Sequence, residues 1–574
     1  MAATGVTSAW TPLRYRIFRA LWIATLVSNL GTWMQNVAAA WLMTSLTSSP
    51  LIIATVQAAS TAPVFLLGFA AGAMADFVDR RWLLLITQAW MCLAVCALTI
   101  AAFFNAVSAT LLLALTFAVG LGAAMNGPAW QAIVSELVPK EELVSAVSLN
   151  SAGFNLARAA GPAIAGLILV RTGAGLIFLL NALSFLGVLW ALYRWREPAR
   201  LSVSPAERFI GAMRAGIRYF LHAPSLQRVL GRTILFGIPA SALWGLLPLV
   251  AKDAPRSGPL TYGILLAGLG IGALIGTWCL PRFKHMISLE NLITAGTAAF
   301  SVAMFGVAIW RQLPLLFAFM LVAGIGWLIL LTTLNATTRM EAPSWIEARA
   351  LALYLMAFQG SIAFGSLAWG ALATKLGTNN ALLVASAILM LTIAARIQYG
   401  LQSAESLDLR PAKSWPEPSL VFDLNPFSGP VLVIVEYRVN VDRIEAFIGK
   451  IEHLQKVRRR GGAFQWGLFI DTADPAKYIE EFMVESWAEH LRQHERMTLD
   501  DSEIQQSVIS LLDEPPRVSH YVAAKIPSAN HSKRMPSSHE RLSTMTPIGG
   551  ASKHQLRSPN NLSASRNQEL RQDI

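Results

Sequence analysis

Twelve apolar runs, separated by short polar connections, fill the first 400 residues of the chain. A run of about 20 apolar residues is long enough to cross a lipid bilayer as an α-helix. Inside a membrane only helices and closed barrels satisfy every backbone hydrogen bond, so this pattern constrains the fold more than any other feature. The predicted spans are Phe18–Thr44, Leu51–Ala75, Trp82–Asn105, Thr110–Ile133, Val144–Val170, Leu176–Trp195, Val229–Ala251, Tyr262–Pro281, Leu289–Trp310, Pro314–Asn335, Ala348–Thr374 and Ala381–Tyr399.

The composition agrees with a protein embedded in lipid. Hydrophobic residues make up 54% of the chain and charged residues only 14%, whereas soluble domains carry about 25% charged residues. The net charge of +12 would suit a nucleic-acid-binding protein, but the basic residues lie in short connections, as membrane topology requires. We therefore expect an all-α polytopic membrane protein that contacts the lipid bilayer and no nucleic acid.

The basic residues also predict an orientation. With the N-terminus inside, the inner segments before residue 395 carry eighteen Lys and Arg residues, and the outer loops carry five. Basic residues accumulate on the cytoplasmic side of a membrane. We therefore predict a multi-pass protein of the bacterial plasma (inner) membrane with both termini cytoplasmic. The five outer residues are Arg171, Lys252, Arg256, Arg311 and Lys375.

The two halves of the apolar region repeat each other at an offset of 204 residues. Glycine lets helix backbones approach closely in a membrane, and paired glycines at one offset predict two six-helix repeats with a substrate site at their interface. Pro139 and Pro343 are also paired. The glycine pairs are Gly68/Gly272, Gly72/Gly276, Gly120/Gly324, Gly122/Gly326, Gly161/Gly365, Gly166/Gly370 and Gly173/Gly377.

Composition changes along the chain predict the domain boundaries. The connection between the halves holds an amphipathic helix at Pro205–Leu221, which we expect to lie on the inner leaflet. The predicted domains are an N-terminal six-helix half (1–195), a cytoplasmic central loop (196–228), a second six-helix half (229–400), a linker (401–428), a small soluble domain (429–526) and a disordered polar tail (527–574).

A short charged segment joins the second and third runs. It reads Gly72-Ala73-Met74-Ala75-Asp76-Phe77-Val78-Asp79-Arg80-Arg81. The pattern G-x-x-x-D-x-x-D-R-R resembles the loop between helices 2 and 3 of major facilitator superfamily transporters. This resemblance implies a conformational latch made of Gly72, Asp76, Asp79, Arg80 and Arg81, in which Asp76 pairs with basic residues and a neighbouring helix end. The alternative is a solvated turn that only sets the topology.

Three further segments carry the same resemblance. Gly161-Pro162-Ala163-Ile164-Ala165-Gly166 is similar to an element associated with exporters of the superfamily, and predicts helix packing by Gly161, Pro162 and Gly166. The segment Asn126–Ala132, with Leu143 and Asn150-Ser151, resembles the enterobactin-exporter subgroup, also called transmembrane secretion effectors. At Gly120–Ala124 the superfamily's preceding arginine is Thr116 here, so its role cannot be transferred.

Polar side chains recur on one face of the first and of the fifth predicted spanning helix. Arg158 lies about 18 Å into the fifth helix, at 1.5 Å per residue, in line with Ser148, Ser151, Asn155 and Pro162. Such a stripe predicts a wet cavity and, with Arg158 positive, a neutral or anionic substrate. The alternative is that Arg158 caps carbonyls beside Pro162 and binds nothing. The candidate cavity residues are Thr32, Gln35, Asn126, Ser151, Asn155, Arg158, Asn335 and Gln359.

The predicted spans hold no carboxylate or histidine at mid-depth. Intramembrane proton relays usually need such a group. No cofactor is predicted, and if a proton gradient drives transport, then Asp76, Glu136 or Glu347 would carry the protons.

The soluble domain has the predicted order β-α-β-β-α-β, which is the ferredoxin-like arrangement. The run Tyr478–Thr498 resembles the dimeric α+β barrels of the antibiotic-biosynthesis-monooxygenase type, which implies a sensing, dimerising or enzymatic role. His490 and His494 are four residues apart on a predicted helix. With no third ligand nearby in the sequence, we expect packing or a dimer contact rather than a metal, and no metal site is predicted.

Together these patterns predict a secondary active transporter of the major facilitator fold, working by alternating access. We expect an exporter or antiporter of a small neutral or anionic molecule such as a siderophore, drug or other metabolite, and not an enzyme. The alternative is a transporter fused to a cytosolic monooxygenase-like enzyme or ligand-sensing domain that acts on the exported compound. A membrane receptor without transport is disfavoured by the polar stripes.

Overall fold

The computed structural model describes residues 10–195, 209–255, 257–284, 286–398, 400, 408–412 and 424–524. The described residues up to Ala523 form one compact unit. The predicted tail, most of the predicted linker and the first part of the central loop (196–208) lie outside the described residues.

Helices make up nearly all of the described chain before residue 400. Each long helix begins and ends within a few residues of a predicted apolar run. The helices are α1 (Arg16–Leu46), α2 (Pro50–Phe77), α3 (Arg80–Phe103), α4 (Ala109–Leu137), α5 (Leu143–Thr172), α6 (Ala174–Arg194), α7 (Phe209–Leu221), α8 (Pro224–Lys252), α9 (Pro259–Lys284), α10 (Leu289–Ile309), α11 (Leu313–Met340), α12 (Glu347–Leu376), α13 (Thr378–Leu391) and α14 (Ala395–Gln398).

Ten of the described helices are long and apolar enough to cross a membrane, namely α2 to α6 and α8 to α12. Two of the twelve predicted spans therefore fall short of this criterion. The polar side chains of α1, which run from Thr25 to Asn36, lower its mean hydropathy. The helix α13 has only 14 residues, fewer than the roughly 17 needed to span a bilayer.

Glycines that pair in the sequence repeat make equivalent contacts in the two halves. Gly120 of α4 packs on α2 at Ser60 and Pro63, and Gly324 of α11 packs on α9 at Leu269. In the same way, Gly161 of α5 packs on α1, and its repeat partner Gly365 of α12 packs on α8. Gly173 and Gly377 end α5 and α12 with positive φ angles of 74° and 83°, a conformation that glycine adopts without strain.

The halves contact each other at the end of the bundle that lies away from the N-terminus. Gly166 of α5 packs on Pro259 and Gly263 of α9. Its repeat partner Gly370 of α12 packs on Leu51 and Ala54 of α2. Because both contacts involve backbone atoms, this end of the bundle is closed.

The last described region is a small α+β domain. Its strands are β1 (Val431–Arg438), β2 (Gln465–Ile470), β3 (Lys477–Val484) and β4 (Arg517–Val522). They form one antiparallel sheet in the order β2-β3-β1-β4. The helices α15 (Ile444–Gly461), α16 (Trp487–Arg496) and α17 (Leu499–Ile509) accompany the sheet. Alternate β1 side chains are buried and form the domain core with Phe447 and Phe482.

The basic face of α7 contacts this domain. Arg218 Nη2 lies 3.4 Å from Glu489 Oε1 on α16, and both side chains are largely buried. Arg214 lies 3.7 Å from Glu485 in an exposed pair. Arg496 of α16 stacks its guanidinium 4.4 Å from the ring of Trp345, which precedes α12. Two arginines of α7, Arg214 and Arg218, therefore pair with carboxylates of the soluble domain.

Candidate functional site

A cavity of about 340 Å³ lies between the two halves. It is enclosed by α1, α2, α4 and α5 of the first half and by α8, α9, α11 and α12 of the second. Its polar or charged lining residues are Asn36, Gln57, Ser60, Thr61, Thr116, Arg158 and Gln359, and its aromatic ones are Trp33, Phe154, Trp244, Tyr262, Trp327 and Phe358.

Arg158 provides the positive charge in this lining. Its Nε and Nη2 atoms are buried, and neither has a hydrogen-bond partner in the described structure. These two atoms therefore do not cap carbonyls beside Pro162, as the alternative hypothesis required. A buried donor without a partner costs about 1–3 kcal/mol, and more if charged, so the site favours a ligand or water that accepts these bonds.

Two other lining atoms lack hydrogen-bond partners in the described structure. They are Thr116 Oγ1 on α4 and Trp244 Nε1 on α8. Thr116 occupies the position of the superfamily's usual arginine, so in this chain the cavity charge comes from α5 instead. Hydrogen-bond donors from both halves therefore face one space.

Aromatic rings make up much of the remaining lining. Trp327 lies 5.2 Å from Trp244 and 5.6 Å from Phe358, measured between ring centroids. Across the cavity, Trp33 and Phe154 pack edge to face at 6.2 Å. Such surfaces bury planar apolar groups favourably, so the cavity combines a cationic group with aromatic walls.

Of the eight predicted cavity residues, only Arg158 and Gln359 belong to this lining. Gln35 is a correction: its side chain is buried and accepts a hydrogen bond from Asn181 of α6, so it joins two helices of one half. Its neighbour Asn36 lines the cavity instead, because one residue turns the helix by about 100°.

Asn126 is a second correction, since its Oδ1 lies 3.3 Å from both Thr87 Oγ1 and Gln88 Nε2 of α3. Asn335 Oδ1 accepts a bond from Arg339, and the Ser151 hydroxyl donates to the Val147 carbonyl.

Thr32 and Asn155 are also absent from the lining. Sequence reasoning overlooked Gln57, Ser60 and Thr61, three polar residues within five positions of α2, although their clustering was a readable signal.

The charged segment between α2 and α3 binds two neighbouring helices of its own half. Asp79 caps α3 by accepting a hydrogen bond from the Trp82 backbone amide. Arg80 Nη1 lies 2.6 Å from Glu136 Oε1 on α4. Arg81 donates to the Leu192 and Tyr193 carbonyls at the end of α6. Positions 72 and 76 lie in α2, but the Asp76 side chain is outside the described atoms.

The predicted packing motif in α5 contacts both halves. Gly161 packs against Trp33 and Leu30 of α1, while the Pro162 carbonyl and Gly166 lie against Gly263 of α9. The motif therefore lies at the contact between the two halves.

Glu341 follows α11 and is buried in the structure. The residue is 5% exposed, and its Oε2 has no hydrogen-bond partner in the described structure. Burial raises the pKa of Glu341, and Ser225 and Arg228 at the start of α8 oppose this shift. The Glu341 carboxyl group therefore keeps its proton to a higher pH than an ordinary glutamate does.

Comparison with known proteins identifies the family. A family model described as "Transmembrane secretion effector" matches residues 7–528. The staphyloferrin A transporter of Staphylococcus aureus (strain NCTC 8325 / PS 47) is 26% identical over 341 residues, covering 59% of this chain and 85% of that protein. The multidrug efflux pump Tap of Mycolicibacterium fortuitum is 25% identical over 359 residues, covering 60% and 84%.

A solved structure has the same fold. It is a bacterial homolog of the human lysosomal transporter Spinster, in an inward-facing and occupied conformation, with a TM-score of 0.54 and 14% identity over 68% of this chain and 97% of that one. The relatives confirm the prediction of a transporter. Since the family model spans most of the chain, the protein belongs to the transmembrane secretion effector family of the major facilitator superfamily and is a multi-pass membrane transporter.

Proposed function

We propose that the protein exports small neutral or anionic molecules by alternating access, as a secondary active transporter of the bacterial inner membrane. Siderophores, drugs and other metabolites are the candidate substrates. The observation that carries this proposal is Arg158, whose buried guanidinium has two atoms without hydrogen-bond partners in the described structure. The described cavity lining includes no Asp or Glu, so nothing there compensates a cationic substrate.

The relatives support this class of substrate. One is named for staphyloferrin A and another for multidrug efflux. A siderophore or drug with a planar ring and an acidic or hydrogen-bond-accepting group would match both parts of the cavity. Its ring would pack on Trp327 and Trp244, while its acceptor would bind the Arg158 guanidinium.

Transport by inside-out membrane vesicles tests this proposal, with an anionic catecholate siderophore and a cationic dye as probes. We expect Arg158→Ala to lower siderophore uptake at least tenfold, and Arg158→Lys to retain part of it because the charge remains. Arg171→Ala, at the exposed end of α5, is the control and should transport normally. Siderophore transport by Arg158→Ala at the wild-type rate would overturn the anion preference, and wild-type transport of the dye alone would overturn the substrate class.

We further propose that α1 and the segment 378–398 are the eleventh and twelfth spans. The helix α1 has 31 residues, and α13, the short 3-10 turn Thr392–Ala394 and α14 continue one another. Twenty-one residues reach about 31 Å at 1.5 Å per residue, which equals the thickness of the hydrocarbon core. Cytoplasmic termini, predicted from the basic residues, then make the closed end of the bundle the outer one.

We propose that the segment Gly72–Arg81 acts as a conformational latch in the first half, without an equivalent latch in the second half. Support comes from Arg80 and Arg81, which bind the ends of α4 and α6. The partner of Asp76 belongs to the hypothesis alone. Replacing Asp76 with Asn should slow transport without weakening substrate binding. Transport by Asp76→Asn at the wild-type rate would reduce the segment to a topological turn.

If a proton gradient drives export, we propose Glu341 as the proton carrier in place of the acids predicted from the sequence. Its raised pKa brings the carboxyl closer to neutral pH than an ordinary glutamate. Glu136 and Glu347 are engaged by Arg80 and Arg339. Dissipating the gradient with an ionophore should stop export by the wild-type protein, and unchanged export would exclude proton coupling.

For residues 429–526 we propose a ferredoxin-like domain akin to the monooxygenase-type barrels, as in the enterobactin-exporter subgroup. The strand order β2-β3-β1-β4 supports this arrangement. Phe469 and Ile470 on one edge strand and Tyr521 on the other are exposed, which favours dimerisation. Light scattering of the full chain should then give a dimer mass. Substrate-dependent oxygen uptake by the same sample would instead support the alternative of a fused enzyme.

A further inference from the structure

Three histidines meet between α16 and β4. His490 and His494 lie one turn apart on α16, and His520 comes from the central part of β4. One nitrogen from each ring lies within 4.8 Å of the corresponding nitrogens of the other two. Nothing in the sequence spacing predicts this group, because β4 follows α16 only after α17.

One nitrogen separation is close to that in a metal site. His490 Nε2 and His494 Nε2 are 3.1 Å apart, within hydrogen-bond distance of each other. Two imidazoles bound to one tetrahedral Zn²⁺ at about 2.0–2.1 Å have their nitrogens about 3.3 Å apart. The separations to His520 are at most 4.8 Å, so they would close by up to about 1.5 Å to reach the Zn²⁺ geometry.

In the described structure, these rings have few hydrogen-bond partners outside the group. His490 is fully buried, and both His490 Nδ1 and His520 Nε2 are buried without a hydrogen-bond partner in the described structure. The ring of Trp487 packs on His490 and His520, with centroids 5.4 Å and 5.9 Å away. Packing alone explains one buried histidine, but it does not explain three convergent rings, two of which, His490 and His520, leave a buried nitrogen without a partner in the described structure.

The surroundings tolerate a dication and leave room for a fourth ligand. The nearby Arg458 guanidinium lies 3.3 Å from Glu480, which offsets its charge. A cavity of about 30 Å³ beside His494 is also lined by Gln493, Tyr219 and Trp345. A cavity of this size holds one water, so a water fits beside His494.

We propose that His490, His494 and His520 form a binding site for one divalent transition-metal ion, with Zn²⁺ the best match to three imidazoles and an open fourth position. The same helix that carries His490 and His494 also carries Glu489 and Arg496, which contact Arg218 and Trp345 of the transporter. Metal binding therefore stiffens the helix through which the soluble domain docks on the membrane part.

Metal titration of the purified full-length protein tests the site. After removal of metals with a chelator, Co²⁺ is added as a spectroscopic probe and Zn²⁺ as a competitor. We expect one equivalent of Co²⁺ with the visible absorption of a four-coordinate ion, displaced by Zn²⁺. His494→Gln and His520→Gln should each weaken binding at least a hundredfold. His453→Gln, an exposed histidine on α15, is the control and should bind normally.

If a variant fails to fold, X-ray absorption of the Zn²⁺-loaded wild-type protein identifies the metal ligands directly. Three imidazole nitrogens at about 2.0–2.1 Å would support the site. A shell with fewer than two imidazoles, or equal loss of binding in His453→Gln, would overturn it and leave the three histidines as core packing.

Discussion

Glu341 shows how burial changes the chemistry of a single side chain. The group follows α11 and packs against the start of α8, where Ser225 and Arg228 partly compensate its lost hydration. A glutamate in water has a pKa of about 4.5, and burial disfavours the charged form. The folded protein therefore holds this proton to a higher pH than the unfolded chain does.

This difference predicts a pH dependence of stability. Between pH 4.5 and the raised folded pKa, the folded state binds more protons than the unfolded state, so stability falls as the pH rises through this interval. Glu341→Gln, which resembles the protonated acid, should remove that part of the fall. Thermal unfolding of the solubilised protein between pH 4 and 8 measures it. The control Glu347→Gln changes an exposed acid paired with Arg339 and should keep the wild-type profile.

At the scale of the elements, the close packing of α5 on α9 depends on glycine. A Cβ at Gly270 would lie 2.5 Å from the Ala159 Cα, a backbone atom of α5 that cannot rotate away. A Cβ at Gly187 of α6 would meet nothing within 4 Å. The two glycines occupy helix interiors, so they differ mainly in the space around them.

Gly270→Ala should therefore destabilise the protein by about 1–3 kcal/mol, as overpacking does, and separate α5 from α9. Gly187→Ala should be neutral or stabilising by up to about 1 kcal/mol, because alanine favours the helix. Thermal unfolding in detergent compares the two. Equal effects would show that the α5–α9 distance is not set by Gly270.

The contact between α7 and α16 can be tested separately from the rest of the fold. Arg218 and Glu489 are largely buried, whereas Arg214 and Glu485 are exposed. Removing one partner of a buried pair leaves a desolvated charge, but an exposed pair contributes about 0–1 kcal/mol. Arg218→Ala should increase hydrogen exchange in α16, and Arg214→Ala should leave it nearly unchanged. The reverse order would contradict this docking surface.

The whole molecule is closed at one end of its two-half bundle. Ala54 of α2 and Gly245 of α8 belong to different halves, and a Cβ on Gly245 would lie 3.3 Å from the Ala54 Cβ. Disulfides form between Cβ atoms about 3.5–4.5 Å apart. A cross-link between these positions would hold the closed end shut without touching Arg158.

The double variant Ala54→Cys/Gly245→Cys should therefore lose transport under oxidising conditions and regain it with reductant, because alternating access requires this end to open. Each single variant is a control and should transport in both conditions. Full transport by the oxidised, cross-linked protein would show that the two halves do not separate at this end.

The sequence by itself determined most of the architecture. Run length and backbone hydrogen bonding require helices in lipid, so helix positions could be read directly, and the glycine offset anticipated contacts such as Gly161 with α1 and Gly365 with α8. Arg158 was identifiable because an arginine within an apolar run has few structural uses. Two predicted spans, those at α1 and α13, are not confirmed, because α1 carries many polar residues and α13 is short.

Only the tertiary structure decided which polar side chains share a space. Gln35 and Asn36 are neighbours in sequence, yet one joins α1 to α6 and the other faces the cavity, because the rotation of a helix about its axis is set by packing. His520 joins His490 and His494 through strand pairing of β4 with β1. Sequence periodicity assigns residues to faces, but which faces meet depends on how the helices and strands pack.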